Sequence, residues 1–62
     1  MKISLKAARI NAGLKVEEVA KALNLTTQSI YNIENGIVKV DVRRAQRLAD
    51  LYKLDINNIN FF

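Results

Sequence analysis

Apolar residues recur at three- and four-residue intervals along most of the chain, and the breaks in that rhythm mark out five short helices. Ser4 is placed to cap the first, residues 5–12, on which Leu5, Ala8 and Ala12 share a face. Gly13 follows, where a helix ends best on a left-handed residue, and Leu14 turns back to the core. The second helix, residues 16–23, buries Val19, Ala20 and Leu23. It opens with Glu17 and Glu18, whose charges suit the positive end of a helix dipole. Asn24 tolerates the left-handed backbone of a tight turn. Thr26 caps a third helix ending about Glu34, with Ile30 and Ile33 inward and Asn35-Gly36 closing it. A loop over residues 37–40 leads to Asp41, the cap of a fourth helix reaching about Tyr52. Val42, Ala45, Leu48, Ala49 and Tyr52 fall on its apolar side. After a Lys53-Leu54 link, Asp55 caps a last helical turn carrying Ile56 and Ile59.

The β-branched run 37–42 would suit a strand, but an isolated strand has nothing to pair with. The predicted class is therefore all-α, a compact bundle of five short helices forming one domain over residues 1–62. No repeat, low-complexity stretch or linker divides it. A core drawn from 62 residues is near the lower limit for independent folding. With neither Cys nor His, no disulfide or zinc site staples it, so aliphatic packing must suffice, with or without a partner subunit. No apolar stretch approaches the ~20 residues of a membrane span. The amino end is polar within four residues, unlike a signal peptide, so the expected location is the cytoplasm, with no membrane partner. The net charge of +4 and pI near 9.8 favour an anionic partner, although many small basic domains bind no nucleic acid.

The informative stretch is VEEVAKALNLTTQSIYNIEN, residues 16–35. Ala20 lets two helices cross closely, Asn24 permits a sharp turn, and Ile30 and Ile33 pin the second helix across the first. An amphipathic αα-hairpin of no special function shares that pattern. The outer face of the third helix sets this one apart. Thr27, Gln28, Ser29, Tyr31 and Asn32 are uncharged and rich in hydrogen-bonding groups, where a merely solvated face carries Glu and Lys. Gln and Asn can bond bidentately to adenine, and a threonine methyl can touch that of thymine.

The segments LKAAR (5–9), GLKVEEVAKALNL (13–25), TTQSIYNIENG (26–36) and RLADLYKLDINNINFF (47–62) together resemble the DNA-binding domain of phage repressors and Cro proteins, the XRE-type helix-turn-helix family. The resemblance implies a lambda-repressor-like fold and a double-stranded DNA partner. It places Thr27, Gln28 and Asn32 at base-contacting positions, with Tyr31 beside them, and Ser29 and Asn35 at the DNA backbone. It implies further phosphate contacts from Lys15 and Val16 at the amino end of the second helix, and from Lys39 and Arg43. It also implies an ion pair, Arg9 with Glu34, holding the recognition helix in place. Relatives carry Ser or Thr then Gln where this chain has Lys15-Val16, and Val16 has no side-chain bond to offer a phosphate. Arg44 and Arg47 read as a solvated face.

One such domain covers few base pairs, so a homodimer on a palindromic operator, with half-sites ~34 Å apart, is expected. The interface falls to this globule, with Leu54, Ile56, Ile59, Phe61 and Phe62 as candidates. The two phenylalanines also suit a core plug or a frayed tail. The leading expectation is a repressor or Cro-like switch of phage, plasmid or chromosome. The alternative is a protein-interaction module, such as an antitoxin or repressor antagonist, acting through the same carboxyl end. An enzyme is not expected: there is no His, Cys or glycine-rich phosphate loop, and no cofactor, metal or small-molecule substrate is implied.

Overall fold

The structure is a computed structural model that describes residues 2–61. Four helices, α1 (Leu5–Asn11), α2 (Val16–Leu23), α3 (Thr27–Glu34) and α4 (Val42–Tyr52), are followed by a single 3-10 turn, Ile56–Asn58. The protein is mainly α-helical, as its periodicity predicts, with the fifth helix reduced to that turn. Asp55 caps the turn, accepting from the Asn57 N–H at 2.8 Å, but Ile59 lies beyond it in extended backbone. There Ile59–Asn60 (β2) pairs in parallel with Ile3–Ser4 (β1), Ile3 opposite Ile59. The β-branched run 37–42 forms no strand.

Helices α1, α3 and α4 each start on a side chain that accepts from a free amide of the first turn. Ser4 Oγ accepts from Ala7, Thr26 Oγ1 from Ser29 and Asp41 Oδ1 from Arg44, at 3.0, 3.1 and 2.8 Å. At α2 the cap residue is Lys15, which has no acceptor, so Glu18 reaches back to the Lys15 N–H at 2.9 Å. The helix ends share one device. Gly13, Asn24, Gly36 and Lys53 all sit at φ near +60 to +75°. In each case the next N–H, of Leu14, Leu25, Ile37 or Leu54, bonds the carbonyl five residues back.

The core combines Leu5 and Ala8 of α1, Val16, Val19, Ala20 and Leu23 of α2, Ile30 and Ile33 of α3, and Leu48, Ala49 and Tyr52 of α4. Ile59, 2 % exposed, fills it from the carboxyl end. Two expected core positions lie outside. Ala12 is exposed because α1 stops at Asn11. Val42, the first residue of α4, is 81 % exposed.

Candidate nucleic-acid interface

Ala20, 4 % exposed, allows α2 and α3 to cross closely, and Asn24 with φ 58° turns the chain between them. This leaves the face of α3 opposite Ile30 and Ile33 to solvent. Thr27, Gln28 and Tyr31 are exposed, and Asn32 is half-buried. Gln28 Nε2 donates to Asn32 Oδ1 at 3.0 Å, one helical turn apart. The bond orders two amides before any ligand arrives and still leaves each with free donor or acceptor capacity. No charged residue precedes Glu34 in α3. Ser29 is half-buried, its hydroxyl 2.9 Å from Thr26 Oγ1 at the helix start, while Asn35 is exposed at the far end.

The orientation of α3 is fixed from behind. Arg9 Nε donates to Glu34 Oε2 at 2.8 Å, with Nη2 3.5 Å from Oε1. Nη1 donates to the Leu14 carbonyl at 3.1 Å. The side chains are 11 % and 5 % exposed, so the pair is nearly dry. Hydrogen bonding to Glu34 raises the Arg9 guanidinium above its ordinary value, against the opposing pull of burial. Tyr52 lies in the same field. Burial pushes its phenol up to about 12, and the Glu34 charge adds to the rise while Arg9 opposes it.

The flanks of α3 differ. At the start of α2, Lys15 is exposed but the Val16 side chain is buried in the core, so only its backbone N–H faces outward. Beyond α3, Lys39 and Arg43 are exposed. Arg44, read from sequence as a solvated charge, instead lines a cleft of about 290 Å³ with Ser29, Asn32 and Lys39. Arg47 is not idle either: its Nη2 donates to the Ala22 carbonyl near the end of α2 at 3.3 Å. No signal in the sequence separates Arg44 from Arg43: at about 100° per residue Arg47 stands about 40° from Arg43 and about 60° from Arg44, so rotation alone does not say which of the two faces α3.

The expected interface residues separate too. Ile56 and Phe61 line a groove of about 320 Å³ with Val40, Val42, Ala45, Lys2 and Lys39. Ile59 is committed to the core, which removes it from any exposed contact surface, and Leu54 packs half-buried against that core. Phe62 lies outside the described residues.

A family profile described as helix-turn-helix matches residues 5–59. The protein belongs to that XRE-type, Cro-like family, and it is a DNA-binding helix-turn-helix regulator. No curated protein and no solved structure shows significant similarity to it.

Proposed function

We propose that the protein is a sequence-specific repressor or Cro-like switch that inserts α3 into the major groove and occludes a promoter as a two-fold dimer. The observation carrying this reading is the exposed, uncharged face of α3, with Gln28 and Asn32 joined at 3.0 Å. Thr27, Gln28, Asn32 and Tyr31 meet base edges; Ser29, Asn35, Lys39 and Arg43 lie along the backbone. In this reading two copies sit side by side on a palindrome and meet at the groove that holds Val42, Ile56 and Phe61.

Selection of binding sites from random duplex DNA tests the proposal and is expected to return a palindrome. On the selected site, Gln28→Ala and Asn32→Ala should each cost about 1–3 kcal/mol of binding, roughly 5- to 150-fold. Their melting temperatures should stay close to wild type, since Gln28 is exposed and Asn32 only half-buried. Selection that enriches no sequence, together with unchanged biological activity of both variants, would favour a protein-interaction module instead.

A further inference from the structure

The two flanks of α3 do not offer a phosphate the same surroundings. At the α2 side, one cation, Lys15, is followed in sequence by two carboxylates, Glu17 and Glu18. The Lys15 N–H is taken by Glu18, and Val16 has turned its side chain into the core. At the α4 side, three cations, Lys39, Arg43 and Arg44, stand against one carboxylate, Asp41, which is engaged as the cap of α4. Among the described residues, the side chains of Lys39, Arg43 and Arg44 make no hydrogen bond or ion pair.

Placement sharpens the contrast. Arg44 lines the cleft beside α3, and Arg47 on the next turn of α4 reaches α2 through its guanidinium. Its cleft joins the Arg44 and Lys39 side chains to Ser29 and Asn32 of α3, with Leu25, Ile33, Val38 and Val40 completing the wall. An unpaired guanidinium and an unpaired ammonium beside a hydroxyl make an anion seat directly alongside a base-reading amide. A guanidinium held there can take phosphate oxygens bidentately.

We propose that the DNA backbone is gripped chiefly on the α4 side of the recognition helix, with Arg44 and Lys39 as its anchors, and that the start of α2 contributes little. The inference rests on α3 being the helix that enters the groove.

The test is the salt dependence of binding to a mixed-sequence 25-base-pair duplex, because phosphate contacts act without regard to sequence. Each lost contact should flatten the plot of log affinity against log salt by about 0.9. Arg44→Gln is expected to lose that much, the Lys39→Gln/Arg44→Gln pair about 1.8, and Lys15→Gln nothing measurable. Arg44→Lys should restore the slope, because it keeps the charge. Circular dichroism melting of each variant separates loss of contact from loss of fold. A slope unchanged by Arg44→Gln, or lowered equally by Lys15→Gln, overturns the assignment while leaving α3 as the reader. A folded wild-type protein that binds no duplex overturns both.

Discussion

Arg9 makes three hydrogen-bonding approaches from one side chain: two to the Glu34 carboxylate and one to the Leu14 carbonyl. It therefore ties α1, the turn after it and the last residue of α3 into one unit. Removing either partner strands a charge in a nearly dry site, at a cost of about 3–5 kcal/mol. A chain of 62 residues holds only about 3–9 kcal/mol in all. Arg9→Ala should therefore lower the melting temperature far more than Lys6→Ala, which alters an exposed charge. Equal melting temperatures for the two variants would remove Arg9 from the supports of α3. Single residues were legible in sequence where their role depends on type and spacing, as for Asn24 at the turn. They were not legible where the role depends on which way a helix is rotated in the fold. Arg43 and Arg44 are neighbours of the same kind, and only packing decides that Arg44 is the one directed at α3. Val42, which spacing puts on the apolar side of its helix, is exposed for the same reason.

The helices begin and end by local rules, and that is why their bounds could be read from the chain. Ser4, Thr26, Asp41 and Asp55 cap through their own side chains, within two or three residues. The ends follow the φ > 0 device at Gly13, Asn24 and Gly36, residues that tolerate it. Lys53 uses the same device with φ 57° and lacks that tolerance, which makes it the one helix end that residue type did not announce. The strain is small but removable. Lys53→Gly should stabilise the protein by roughly 0.5–1 kcal/mol, measured as a higher denaturation midpoint at unchanged slope. A lower midpoint would mean that Leu54, bonded to the Ala49 carbonyl, holds the turn without strain at Lys53. The two-residue strands escaped notice for the opposite reason. Neither has a pattern of its own, and each exists only because distant residues meet. A lone strand was set aside at 37–42 for want of a partner, whereas residues 3–4 and 59–60 supply each other's.

At the scale of the molecule, an apolar side chain 81 % exposed at the edge of a groove, that of Val42, is the feature that a lone protomer does not use. Burying Val42 is worth about 1.5 kcal/mol per copy, and a two-fold interface counts it twice. In the dimer we propose, Val42→Ser should therefore weaken association on DNA by on the order of a hundredfold, with the melting temperature of the free protomer little changed. Affinity for a two-half-site duplex measured against a single half-site checks this; an unchanged ratio would place the contact elsewhere. The bridge between β1 and β2 carries a different consequence, one of timing. Ile3 waits for Ile59, 56 residues later, and at ordinary synthesis rates that delay is roughly 3–11 s. The last residues of α4 are made only shortly before it ends, and Ile59, the last side chain of the common core, follows them. A chain of this design therefore completes the core behind α3 only once Ile59 has been added.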